Sequence, residues 1–402
     1  MKFSLIKERK NPPDRRVVFS PMVYKKFKNQ YPEAELIVEN SDIRVFTDNE
    51  YKASGFDVSN HIEVADIMLG VKEVPIQFLI PNKKYFFFSH TIKKQPYNRE
   101  LLQAILEKNI ELYDHETIVN EKGVRLIGFG RYAGIVGAYN GFRTYGLKFD
   151  LFHLPKVASL FDRKAMELEL DKIKLPNIKI VLTGTGKVGQ GAKEILDYMN
   201  IKEVSSDEYL TGEFHEPVYT QIHVLDYNKR KNGEKRENEK DFYENASEYE
   251  ADFMKYAQVS DLYIAGHFYK DGSPFIFTRE DAKSPCFKIK VVADISCDID
   301  GPVACTLRAS TIENPIYGYD PQTESEVDFK DENAIAVMAV DNLPCELPKD
   351  ASEGFGEMFL KHVIPAFFNG DKNNILKRAK ITEKGRLTER FRYLQSYIEG
   401  KE

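Results

Sequence analysis

Three glycines, a lysine and a histidine are the residues of this chain whose types and spacing suit chemistry. Gly184-Thr185-Gly186-Lys187-Val188-Gly189 follows the apolar, β-branched run Ile178–Leu182 and precedes a helical pattern through Ile195 and Met199. In the order strand, glycine turn, helix, the first glycine permits a sharp turn and the second lets backbone amides approach a pyrophosphate. The third lets the helix lie close to the strand, and the helix start adds partial positive charge. The segment predicts a dinucleotide site made by Gly184, Gly186, Lys187, Val188 and Gly189. Lys72 and Glu73 end the apolar run Ala65–Val71, and His90 stands two residues beyond the run Tyr85–Phe88. Ligands of open α/β sheets bind beyond the carboxyl ends of strands. A lysine and an imidazole at two neighbouring ends form a proton-transfer pair once the site lowers the lysine pKa.

The elements that must position these groups read as alternating strands and helices. Strands are expected at Phe3–Ile6, Glu35–Val38, Asp42–Phe46, Glu111–Tyr113 and Arg125–Phe129, and helices after Ser20-Pro21 and over Asn98–Lys108. A small-residue helix, Arg131–Asn140, suits close packing on another backbone. Beyond the glycine segment, strands are expected at Val218–Asp226, Asp261–Ala265, Phe287–Ala293 and Ala334–Val340, then helices at Ser352–Asn369 and Leu387–Ile398. With 402 residues, 42% hydrophobic, the chain is long enough for two cores. A net charge of −6 offers no general basic surface for nucleic acid or an anionic membrane. No apolar run reaches membrane-span length and the amino terminus lacks a signal-peptide core, so a cytoplasmic protein is expected. The four cysteines form no CxxC pair and the eight histidines no HExxH, which leaves no metal motif.

Asp226 would close the second strand of the nucleotide domain and accept hydrogen bonds from the ribose hydroxyls, although it lies 37 positions beyond Gly189 rather than the usual ~20. Glu203–Pro217 supplies the excess as an insertion. The mixed-charge run Lys229–Asp241 reads as a surface loop.

Seven segments carry a resemblance to a known family: LGVKEVP (Leu69–Pro75), YFFFSHTIKKQ (Tyr85–Gln95), GVRLIGFGRYAGIVG (Gly123–Gly137), LTGTGKVGQGA (Leu182–Ala192), VVADISCDIDG (Val291–Gly301), STIENPIYGYD (Ser310–Asp320) and AVDNLPCELPKDAS (Ala339–Ser352). In that order they resemble the lysine-forming saccharopine dehydrogenases and the lysine–2-oxoglutarate reductase domain of aminoadipic semialdehyde synthase. The resemblance implies an α/β fold of two Rossmann-like domains with parallel sheets flanking a central cleft. Residues 1–140 plus 345–402 would form a substrate-binding domain similar to the amino-terminal domain of alanine dehydrogenase, and 141–344 the dinucleotide-binding domain. It implies interconversion of saccharopine, water and NAD(P)⁺ with lysine, 2-oxoglutarate and NAD(P)H. By motif position Lys72 and His90 look like the acid–base pair, and Arg16 like a substrate-carboxylate ligand. Glu73 and Asp341 look like polar neighbours, and Arg125 is similar to a residue near the cofactor. Lys93 is a further candidate for the substrate carboxylates. An extra residue in Lys10–Arg16 leaves Arg15 and Arg16 as alternatives. Asp226 favours NAD, whereas Lys229-Arg230-Lys231 and the NADP-linked relatives favour NADP; the carboxylate is expected to prevail. The partners are then small molecules, with an oligomer possible. Alanine dehydrogenase and an inactive ligand-sensing relative are the competing readings.

Overall fold

The computed structural model describes every residue except 232, 234–237 and 402. The chain forms two compact units, residues 1–129 with 348–402, and residues 130–347. The expected crossover at 140 falls inside the helix Gly130–Lys148, all of which belongs to the second unit.

In the first unit six strands, β1 (Lys2–Leu5), β2 (Glu35–Glu39), β3 (Asp57–Ser59), β4 (Ile67–Lys72), β5 (Lys84–Phe88) and β6 (Glu111–Asp114), make one sheet in the order 3-2-1-4-5-6. Every pairing is parallel. This is the strand order of a doubly wound Rossmann sheet. The run Tyr85-Phe86-Phe87-Phe88 explains why both faces are covered. Alternate side chains of a strand face opposite ways, so Tyr85 and Phe87 join a core with Leu102, Ile105 and the carboxyl-terminal Phe391, Leu394 and Tyr397. Phe86 turns to the other face against Phe359 and Phe367. The carboxyl-terminal segment thereby completes this unit from both sides. Ser20 caps the helix Pro21–Gln30, its Oγ accepting from the Val23 amide at 3.3 Å.

In the second unit β7 (Lys179–Thr183), β8 (Lys202–Glu203), β9 (Val218–Ile222), β12 (Leu262–Ala265), β13 (Val291–Asp294) and β16 (Ile335–Met338) run parallel. The antiparallel β14 (Ile316–Asp320) and β15 (Ser325–Val327) extend the edge, giving the order 15-14-16-13-12-7-9-8. Strand β7 lies between β9 and β12, so the chain leaves it to opposite sides. That is the switch point at which such sheets bind ligands, and the glycine segment stands at its carboxyl end. A separate ribbon pairs β10 (Asn228–Arg230) with β11 (Tyr249–Ala251). Both units are thus Rossmann-type α/β structures.

Several expectations fail for local reasons. Asp42–Phe46 is a series of bends rather than a strand, because the buried Arg44 guanidinium bonds the Phe46 and Glu39 carbonyls and takes the place of a ladder. Arg125–Phe129 contributes a single bridge, Val119 to Arg125. The expected Lys229–Asp241 loop is structured where it is described: Lys229 and Arg230 lie in β10, and Arg230 pairs with Asp241 and Glu248. Residues 232 and 234–237 of that run lie outside the described residues. Among the described residues no helix is long and apolar enough to cross a membrane, and no three His, Cys, Asp or Glu side chains gather to hold a metal ion.

Candidate active site

Three adjacent strands of the first unit deliver the chemistry-bearing side chains. Lys72 is the last residue of β4, His90 follows β5 by two residues and Glu116 follows β6 by two. Asp114 ties the last two ends together. Its buried carboxylate accepts the Ser89 amide at 2.8 Å, the His90 amide at 3.2 Å and the Glu116 amide at 2.7 Å. Burial raises its pKa to about 6 although these donors oppose the shift. His90 itself has φ 55°, a left-handed conformation uncommon outside glycine and often found at functional sites.

Around His90 the charges alternate. Glu116 Oε2 lies 4.0 Å from His90 Nδ1, while Glu116 Oε1 lies 3.6 Å from Lys93 Nζ and 3.4 Å from an Arg125 nitrogen. Glu73 forms an ion pair with Lys10. Glu73 Oε2, His90 Nδ1 and Glu116 Oε2 are all buried without a hydrogen-bond partner among the described residues. Native interiors rarely leave such atoms unmet outside functional positions, so their gathering at one sheet edge marks a place for a polar ligand. The His90 pKa is held below the ordinary imidazole value, first by burial and next by the Lys93 charge, with Glu116 acting in the opposite direction. An imidazole whose pKa is lowered can accept a proton, and a lysine at the neighbouring strand end can exchange one. Among the described residues Lys72 Nζ makes no salt bridge.

Beneath Lys72 lies a buried acidic pair. Glu8 accepts the Val71 amide at 2.6 Å and the Lys72 amide at 2.9 Å. Burial first, and the neighbouring Asp14 next, push its pKa up to about 8. Asp14 receives the Arg16 fork, Nε at 3.0 Å and a terminal nitrogen at 2.6 Å, and the guanidinium covers the Phe129 ring at 4.2 Å. Arg16 is only 3% exposed. The forked face expected to grip a substrate carboxylate is therefore already on Asp14, and Arg15 is exposed. Lys93 and Arg125 are each half-exposed and stand beside Glu116.

In the second unit the glycine segment has the shape its spacing implies. Gly184 has φ 93°, and a Cβ there would stand 2.4 Å from the Gly266 carbonyl; a Cβ on Gly189 would stand 2.0 Å from the Gly184 carbonyl. Gly186 caps the helix Lys187–Tyr198, and a Cβ on it would meet nothing within 4 Å. The amides at the helix start border a cavity of about 280 Å³, whose wall includes Gly184, Gly186, Lys187, Val188, His223, Glu239 and His267. These features fit a dinucleotide phosphate: an open approach, amide donors and a helix start.

Asp226 does not stand at this wall. Strand β9 ends at Ile222, and the Asp226 carboxylate accepts the His223 amide at 2.7 Å, closing a turn. The strand-end position is His223, whose Nε2 lies 3.5 Å from Glu239 Oε2. Asp341 is exposed, three residues beyond β16, where its charge helps raise the Cys297 thiol. Glu116, Glu8, Asp14 and Glu239 escaped the sequence reading. Of these only Glu116 carried a signal, since it follows its strand by the same two residues as His90.

Residues 4–136 match the family model of the alanine dehydrogenase/PNT N-terminal domain. The alpha-aminoadipic semialdehyde synthase of Bos taurus is 28% identical over 421 residues, covering 92% of this chain and 45% of that protein. The saccharopine dehydrogenase [NAD(+), L-lysine-forming] of Yarrowia lipolytica is 24% identical over 350 residues, 82% of this chain and 83% of that one. Among solved structures an L-alanine dehydrogenase superposes with a TM-score of 0.65 at 16% identity, covering 99% of this chain and 100% of that chain, which establishes the shared fold. The chain spans less than half the length of the bovine synthase. The chain thus has a two-unit Rossmann fold and is similar in sequence to the aminoadipic semialdehyde synthases and the saccharopine dehydrogenases.

Proposed function

We propose that the chain is an oxidoreductase that interconverts saccharopine, water and NAD⁺ with L-lysine, 2-oxoglutarate and NADH. The observation that carries this reading is the delivery of Lys72, His90 and Glu116 by three adjacent strand ends, with an unpartnered polar atom on each of His90, Glu116 and the adjoining Glu73 among the described residues. The names of the relatives support the substrate class. When bound, the nicotinamide supplies or accepts the hydride. The chain's own residues move the protons. Joining an amine to a ketone expels water, so the carbonyl oxygen must gain protons and the nitrogen must lose them. Reduction of the resulting imine then needs a proton on nitrogen. Lys72 as donor and His90 as acceptor meet both needs, and Lys93 and Arg125 supply positive charge for substrate carboxylates. Arg16 orders Asp14 under Lys72, and Glu73 and Asp341 contribute charge at their strand ends.

The NAD preference now rests on a different carboxylate. Glu239, rather than Asp226, faces the cavity beside His223, and a carboxylate there repels a 2′-phosphate. We further propose a cytoplasmic location, a reducing setting in which the four free cysteines would stay thiols.

A screen of NADH oxidation against paired amines and 2-oxoacids tests the reaction. Turnover is expected only with lysine and 2-oxoglutarate together. Equal turnover with pyruvate and ammonia would overturn the assignment in favour of an alanine dehydrogenase.

A further inference from the structure

At the carboxyl end of β12 the chain passes through Gly266 to His267, and a small buried polar cluster forms there. Thr183 Oγ1 lies 3.0 Å from the Tyr263 hydroxyl and 3.2 Å from His267 Nδ1, and the Tyr263 hydroxyl lies 3.5 Å from the same nitrogen. Thr183 and Tyr263 are fully buried and His267 nearly so.

Counting protons fixes the histidine tautomer. Two hydroxyls bring two protons to a triangle of three heteroatoms. If Nδ1 accepts, one hydroxyl donates to the other and that one donates to Nδ1, so both protons are used. If Nδ1 carried a proton, one buried hydroxyl proton would be left without an acceptor, an arrangement that buried groups avoid. The hydrogen therefore resides on Nε2. Burial pushes the imidazole pKa down to about 4, so the ring is neutral in ordinary conditions.

Nε2 is buried and has no hydrogen-bond partner among the described residues. His267 lines the same cavity as Gly184, Gly186 and Lys187. The His267 backbone abuts the glycine turn, since a Cβ on Gly184 would stand 2.8 Å from His267 Cα. The group left over is thus a neutral, preoriented donor beside the amides of the helix start. A phosphate oxygen accepts only and suits a lone donor, whereas a ribose hydroxyl brings a proton of its own to be placed.

We propose that His267 Nε2–H is a binding group for the diphosphate of the dinucleotide, acting alongside the backbone amides of the glycine turn. This rests on the dinucleotide reading of the second unit. Removing a donor to a charged acceptor weakens binding by about 10- to 100-fold.

The test is titration of the purified full chain with NADH, with ADP and adenosine as competitors, read by NADH fluorescence. His267→Phe is expected to weaken NADH and ADP by tenfold or more and to leave adenosine within twofold. His267→Gln, whose amide reaches the Nε2 position, should stay near wild type, and the shorter His267→Asn should behave like the phenylalanine variant. If His267→Phe does not fold, the Gln and Asn pair carries the same contrast. Wild-type ADP affinity in the variants, or equal losses for ADP and adenosine, overturns the inference. A wild-type chain that binds neither NADH nor NADPH instead overturns the dinucleotide reading itself.

Discussion

Glu116→Gln removes one negative charge from the centre of the candidate site while keeping its shape. In the native site the carboxylate favours protonated His90, with Glu116 Oε2 4.0 Å from Nδ1. Two unit charges at 4 Å interact by about 1 kcal/mol in water and about 4 kcal/mol at an effective dielectric of 20. Glu116 is 9% and His90 22% exposed by side chain, and Lys93 and Arg125 also face the carboxylate. A value between the limits, about 2 kcal/mol, is appropriate. Because 1.36 kcal/mol corresponds to one pKa unit, the acidic limb of the kcat/KM profile should move down by about one unit or more. The sign is fixed by charge: without the carboxylate, burial and the Lys93 and Lys72 charges act on His90 against Glu73 alone, the smaller of the two opposing charges. The assay is the pH dependence of kcat/KM for NADH oxidation with lysine and 2-oxoglutarate, beside an NMR titration of the His90 ring. An unchanged acidic limb, or one that moves to higher pH, refutes the electrostatic coupling of Glu116 to His90.

The other outcomes follow from the same geometry. Lys72→Met should lower kcat by about 100-fold or more, in the range that general acid–base groups supply, with NADH affinity by fluorescence titration unchanged; wild-type turnover would remove Lys72 from the chemistry. Glu239→Gln should shift the NADH to NADPH ratio of kcat/KM toward NADPH by about fivefold, the size of an exposed like-charge term near 1 kcal/mol; no shift would exclude that carboxylate from cofactor choice. Glu8 binds its proton more tightly folded than unfolded, with a pKa raised to about 8 from 4.5. Its contribution to stability is therefore fully present below about 4.5 and is lost as pH rises through about 8, a loss on the order of 4 kcal/mol at most. Urea unfolding at pH 5 and pH 9 should show a steeper alkaline loss for wild type than for Glu8→Gln, and equal slopes would contradict the raised value.

Strand ends were the most legible part of this sequence. Apolar runs such as Ile67–Leu69 and Tyr85–Phe88 can be buried only inside a covered parallel sheet, and the first polar residues after them had to lie at its edge. Lys72 and His90 were found that way. The glycine segment was legible for a related reason, since a Cβ at Gly184 or Gly189 would strike backbone and few other residues can stand there. Edge pairing was less legible. The short β3 and β15, each at a sheet edge, have no long apolar run, because an edge strand need not bury both faces.

What a polar side chain does once it reaches the edge was not legible, and the reason is competition at short range. Arg16 was assigned by motif position and Asp226 by its expected place at a strand end. In the structure Asp14, two residues before Arg16, takes the fork, and the His223 amide, three residues before Asp226, takes the carboxylate. Both competitors are held close by the chain itself, so little entropy is lost in pairing, whereas a ligand must be ordered from solution. A charged residue with a complementary group two or three positions away is satisfied locally first. Lys72 and His90 have no such neighbour for their side-chain nitrogens; Glu116 meets its cations from β5 onward and from Arg125, all distant in sequence. His90, Glu73, Glu116 and His267 are among the described residues left with unmet capacity, and their partners had to come from elsewhere in the fold or from a ligand.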